Sequence, residues 1–213
     1  YMHQTRLRAT EYRLQVIDEA LLLYLDLNGR YPCVAPPDLA PDETGFGFEY
    51  ADCSTAPNAP GGRDSRPVRT GSLPVRTLNL PDDMIADSWG NKFTYAVTED
   101  LTDDATYNRR EGGIFIEDSA GNPVVEDPDD GAGTVHFIVV SHGDNGVGAR
   151  IIEGNVGLTC DTSTLEGENC DDDATFSSTL MLSRADTSGI YDDHLVFRAT
   201  TAYGQQIPSG AVM

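Results

Sequence analysis

Ser141, Asp144 and Asn145 fall within one short turn that also holds Gly143, Gly146 and Gly148. A hydroxyl, a carboxylate and an amide are all oxygen ligands, and a hard cation such as calcium gathers about six to eight of these, main-chain carbonyls included. Glycine lets such carbonyls turn inward. The turn therefore points to calcium as a cofactor, with Ser141, Asp144 and Asn145 as its metal ligands. Asp161 and the run Asp171, Asp172 and Asp173 offer a second supply of oxygens, and an ordinary solvated acidic turn is the competing reading of both.

Other chemistry fits the residues less well. Ser141, His142 and Asp144 are the residue types of a hydrolase triad, but triads are assembled from distant segments by geometry and not from neighbours in one turn. The patterns G-x-S-x-G, G-x-G-x-x-G, H-E-x-x-H and the P-loop are absent from the chain. His3, His136, His142 and His194 share no metal-ligand spacing. The run 126–131 resembles the start of an EF-hand loop, but Pro128 stands where the third-position ligand belongs. The reading is of a protein without catalysis.

Cys33, Cys53, Cys160 and Cys170 are the four cysteines, and four allow three pairings. Pairing neighbours, 33 with 53 and 160 with 170, ties down two loops rich in Pro, Gly, Asp and Asn, and suggests an oxidising compartment. The rival, one zinc held by all four, lacks any C-x-x-C pair.

The chain has 213 residues, enough for a single domain with a real core, and its net charge of −21 argues against nucleic acid as a partner. Residues 1–76 hold eight basic and ten acidic residues, so most of the acidity lies beyond them. Lys92 is the only lysine among fourteen basic residues. Arg63, Arg66, Arg69 and Arg76, opposed in sequence only by Asp64, form the one basic stretch and read as a contact for an acidic neighbouring subunit or as a solvated loop.

These residues need elements to position them. Leu7, Leu14, Ile17, Leu21 and Tyr24 recur at helical spacing in a stretch without Gly or Pro, which predicts a helix over 3–27, and Val16, Ala20, Leu23 and Leu27 widen its apolar stripe. Asn28-Gly29 supplies the stop. The start at Tyr1 carries no capping box, so the helix is expected to be cut within its length. Residues 31–76 read as a long loop, followed by strands over 93–98, 113–117, 135–141 and 194–200 with turns at 99–104, 119–123 and 127–131. Trp89, the only tryptophan, is expected between helix and sheet. The fold class is α+β: a long N-terminal amphipathic helix packed on an antiparallel β-sheet. Within one domain, 1–29 is the helix, 30–80 a variable loop region, 81–150 the sheet core, and 151–213 a C-terminal extension with the second cysteine couple and the last strand.

The ordered set of amphipathic helix, Asn28-Gly-Arg-Tyr-Pro-Cys33, Leu73-Pro-Val-Arg-Thr-Leu-Asn-Leu-Pro81, Asp87-Ser-Trp-Gly-Asn91 and Ser141-His-Gly-Asp-Asn-Gly146 resembles bacterial type IV pilin-like proteins, type II secretion pseudopilins in particular. The similarity covers residues 3–148. It implies a structural filament subunit of the periplasm or cell surface, anchored in the inner membrane before assembly by a hydrophobic helix half that would precede residue 1. Its partners would be copies of itself or related pilin subunits. In the major pseudopilins a turn in this place binds calcium; Ser141 matches a serine there, Asp144 falls one position early, and Asn145 stands where an aspartate is usual. The length beyond residue 150 points to a minor or specialised pilin. A surface-exposed adhesin or ligand-binding module is the alternative.

Overall fold

A computed structural model describes residues 2–125, 134–178, 191–200 and 206–208. Helix α1 spans Met2–Asn28. It ends because Gly29 takes a left-handed conformation and donates its N–H to the Leu25 carbonyl. The strands are β1 Asn58–Ala59, β2 Val68–Ser72, β3 Thr94–Thr98, β4 Phe115–Glu117, β5 Thr134–Ser141, β6 Thr175–Ser177, β7 His194–Thr200 and β8 Gln206–Pro208. Six of them form one antiparallel sheet in the order β1-β2-β3-β5-β7-β8, and β4 and β6 pair in parallel as a second, small sheet.

The long helix on an antiparallel sheet is thus observed. Leu14, Ile17 and Leu21 of α1 share a buried cluster with Tyr95, Val97, Phe137, Val139 and Val196 on one face of the sheet. The opposite face is covered as well: Ala96, Ile138, Val140 and Phe197 pack with Ile114, Ile116 and Phe176 around β4 and β6. A sheet buried on both faces explains the unbroken apolar run from Phe137 to Val140, since alternate residues enter different cores.

Three expectations change. The strand expected over 113–117 does not join the antiparallel sheet; it is shorter, and it pairs in parallel with β6, some sixty residues on, a separation that leaves room for the long crossover a parallel pair requires. The stretch 31–76 contains β1 and β2, and β2 pairs with β3 over five residues, so the loop contributes two strands, β1 only two residues long and β2 hidden by its Gly and Arg content. Leu23 and Leu27 point away from the core and are exposed. The turn expected at 127–131, with the EF-hand-like run, lies outside the described residues.

The basic stretch finds its acidic neighbours within the chain. Arg69 pairs with Glu99, Arg66 with Glu111 at 3.1 Å and Asp100 at 3.7 Å, and Arg76 with Asp82 at 2.8 Å. Sequence spacing could not show this, because the partners lie up to 45 residues away in the chain. Lys92 is buried, donates to the carbonyls of Pro37 and Leu39, and has its pKa lowered to about 8 by that burial.

Both neighbouring cysteine pairs are bonded, Cys33–Cys53 and Cys160–Cys170. Closing loops of 20 and 10 residues is worth about 3 kcal/mol each by chain entropy. Replacing Cys160 and Cys170 by alanine is therefore expected to lower the melting temperature by about 6–10 °C. A melting curve of that variant within about 1 °C of the parent would refute a structural role for the bridge.

Candidate functional site

The turn at residues 141–148 leaves the end of β5, and the ladder sets Ser141 opposite His194, the first residue of β7. Residues just after 141 and just before 194 must therefore meet. Gly143 makes the meeting close: its φ is 61°, and a Cβ there would lie 2.5 Å from the Asp192 carboxyl carbon. Gly148, at φ 77°, does the same for the second disulfide, since its Cβ would lie 2.2 Å from that of Cys170. The turn is glycine-rich because two other segments press on its backbone.

Asp87 fastens the turn from the other side. Its Oδ1 accepts the N–H groups of Trp89 and Asn91, and its Oδ2 accepts the Ser141 hydroxyl at 2.7 Å. Asn91 in turn donates to the Gly143 carbonyl at 2.9 Å. The Asp87-Ser-Trp-Gly-Asn91 and Ser141-His-Gly-Asp-Asn-Gly146 motifs are thus two halves of one hydrogen-bonded corner. Burial raises the Asp87 carboxyl above its ordinary range while these donors pull it back. Trp89 stands between His3 of α1 and His194 of β7, stacked on the latter at 6.3 Å, which is where the sequence placed it.

The three residues singled out as metal ligands are adjacent but turned to different partners. The Ser141 hydroxyl is buried and given to Asp87. The Asp144 carboxylate is exposed, 3.9 Å from His3. The Asn145 amide donates to Glu166, and its oxygen caps the Val147 N–H. The turn instead presents donors: the backbone N–H groups of Asp144 and Asn145 both reach Asp192 Oδ2.

Carboxylates that the sequence did not single out gather on those donors. Glu166 lies inside the loop closed by Cys160–Cys170 and accepts from Asn145 and from the backbone of Asp192. Asp193 is buried, its Oδ2 receiving the Asn169 amide at 2.7 Å. Asn169 is itself bound to the Ser177 backbone in β6 and to the Tyr191 hydroxyl. Glu166, Asp192 and Asp193 each bring one oxygen within 4.8 Å of the other two. Burial, then the neighbouring Asp192 carboxylate, pushes Glu166 up to about 7, and burial holds Asp193 well above the carboxylate range. The adjacent acids Asp192-Asp193 at the mouth of a strand were the only sequence signal.

Asp171 and Asp173 form a second, more open group with Glu168. Asp161 caps its own loop through the Ser163 N–H and hydroxyl, and Asp171 caps the Asp173 N–H, so both act as ordinary turn residues. No helix among the described residues is long and apolar enough to cross a membrane. No family model matches the chain, and no match is found among curated proteins or solved structures.

Proposed function

We propose that this chain is a non-catalytic structural subunit of a pilin-like filament, of the type IV pilus or type II secretion pseudopilus kind, that assembles through α1 with copies of itself or related subunits at the periplasmic or outer surface. The observation that carries the reading is the two-sidedness of α1. At about 100° per residue, Tyr12, Leu23 and Leu27 fall on one line of the helix, roughly opposite Leu14, Ile17 and Leu21. The first three are 67%, 59% and 75% exposed, the second three are buried in the core. A helix serving only its own domain gains nothing from large apolar side chains on its far side; one packed among other helices buries them. The ordered motifs at residues 28–33, 73–81, 87–91 and 141–146 support the same family reading.

Charging the far side tests this. Leu23→Glu with Leu27→Glu should leave the melting temperature of the isolated domain unchanged, because both side chains are exposed. The same pair should abolish filaments counted by electron microscopy on the cells that make the protein. Normal filament numbers in that variant would refute assembly through this face of α1.

A further inference from the structure

A cavity of about 250 Å³ opens where β2 and β3 pair through Ser72 and Thr94. Its lining holds two cations, Lys92 and Arg150, against one carboxylate, Asp172, in a chain whose net charge is −21. The Lys92 N–H donates to the Arg150 carbonyl, so the two side chains start from neighbouring backbone. Burial and then the Arg150 guanidinium lower the Lys92 pKa, while the carboxylates of Asp38, Glu43 and Glu153 pull against them from beyond 4.0 Å. Two like charges held close, with no counter-ion paired to either among the described residues, leave a place for an anion. Both also keep unused donors. The Lys92 ammonium, with three donors, gives two to the carbonyls of Pro37 and Leu39, and Arg150 Nη1 donates to the Gly154 carbonyl. A separate observation concerns Ser72. It is 2% exposed, and its hydroxyl, open to the cavity, has no hydrogen-bond partner among the described residues. Thr70, two residues away on the same face of β2, presents a second unpartnered hydroxyl, and Asn58 of β1 adds its amide. A buried hydroxyl is ordinarily satisfied, and here the satisfying group must come from the cavity.

The mixture of groups narrows the occupant. A bare phosphate meets the two cations but also faces Asp172, whose charge opposes it and whose lone pairs it cannot use. A neutral sugar uses the hydroxyls and leaves the cations without a counter-charge. A sugar acid satisfies both: its carboxylate accepts from Lys92 and Arg150, and its hydroxyls exchange hydrogen bonds with Ser72, Thr70 and Asn58 and donate to Asp172. The size agrees, since about 250 Å³ lies below the roughly 300–1,000 Å³ of pockets for drug-sized molecules and suits a single sugar ring. We propose that this cavity binds a sugar acid of the hexuronate class, with its carboxylate at Lys92 and Arg150 and a ring hydroxyl at Ser72. The proposal is independent of the filament reading, because none of these residues lies on α1.

The experiment is an NMR titration of the full chain, following backbone amide shifts, with sodium glucuronate and sodium galacturonate at constant ionic strength. It is run at about pH 7, where Lys92, its pKa lowered to about 8, keeps its charge. At least one uronate should bind once per chain with a Kd at or below about 1 mM, moving the amides of residues 70–72, 92–94 and 148–150. Arg150→Gln should weaken that binding about tenfold or more, and Ser72→Ala about threefold to tenfold. Both variants should keep the parent circular dichroism, since Arg150 forms no ion pair among the described residues and the Ser72 hydroxyl holds no protein group. Arg76→Gln, whose arginine pairs with Asp82 outside the cavity, should bind as the parent does. Glucose and inorganic phosphate should each bind at least about tenfold more weakly than the better uronate. Four results would overturn the proposal. The first is no shift with either uronate up to about 20 mM. The second is an affinity for glucose equal to that for uronate, which would make the cations irrelevant. The third is displacement of uronate by equimolar phosphate, which would leave a plain oxyanion site. The fourth is parent-like affinity in either Arg150→Gln or Ser72→Ala, which would place the sugar elsewhere.

Discussion

Asp18→Ala is expected to lower the stability of the folded chain by about 3–5 kcal/mol, the largest loss foreseen for a single substitution. Asp18 sits on α1 with its carboxylate facing the guanidinium of Arg198 in β7. Nε of Arg198 donates to Oδ1 at 2.8 Å and Nη2 donates to Oδ2. Their side chains are 11% and 13% exposed, and they join positions 180 residues apart. The alanine variant leaves a nearly buried guanidinium without its counter-charge, and the cost is mainly that orphaned charge. Replacing both partners, Asp18→Leu with Arg198→Met, should therefore recover most of the loss, because apolar packing in place of a buried pair is often neutral. The exposed pair Arg76–Asp82 should show far less on the same substitution. Urea denaturation of the single and double variants measures this, and a single-variant loss under about 1 kcal/mol would mean that the pair does not tether the helix.

Acid should act through two buried histidines. His136 receives the Tyr31 hydroxyl on Nδ1 and donates from Nε2 to the Arg109 carbonyl, and His142 Nε2 meets the Thr94 hydroxyl at 2.8 Å. Burial lowers the pKa of each from 6.5 to about 4. The sign follows from which state takes up protons first. Between about pH 6.5 and 4 the unfolded chain binds protons that the folded chain refuses, so stability is full above 6.5 and falls on acidification, by about 3 kcal/mol for each histidine. Asp87, Glu166 and Asp193 work in the opposite direction, since their raised pKa values favour the folded state as they protonate. The contribution of one histidine is isolated by His136→Gln, which should flatten the dependence of unfolding free energy on pH over that range by up to about 1.4 kcal/mol per pH unit. Equal slopes in parent and variant would exclude His136 as an acid-sensitive group.

The helix was legible because a 27-residue stretch without Gly or Pro carries apolar side chains at threes and fours, and no competing structure uses that period. Strands β3, β5 and β7 were legible from their β-branched and aromatic content, and β5 and β7 were placed to within a residue. Strand β2 was hidden, since Val68-Arg69-Thr70-Gly71-Ser72 has the composition of a loop and becomes a strand only by pairing with β3. The Arg residues at 66, 69 and 76 looked unpaired for the same reason: charge partners are chosen in space. The site was half legible. The turn at 141–148 announced itself by composition, but Glu166 stood 26 residues from the Asp192-Asp193 pair with nothing in the sequence to link them.

Residue order alone discloses what depends on near neighbours: the span of α1, the stop at Gly29, the existence of the later strands, and neighbouring cysteines close enough to pair as Cys33–Cys53 and Cys160–Cys170. Hydrogen bonding, side-chain periodicity and loop closure over such distances are set by the chain within a few turns of itself. It took the folded arrangement to bury the sheet on both faces, to leave Leu23 and Leu27 outside the core, and to make the glycine-rich turn a donor of hydrogen bonds to carboxylates arriving from 21 to 48 residues further on. Those outcomes turn on which surfaces exclude water together, and that exclusion is a property of the assembled fold that no local stretch of residues contains.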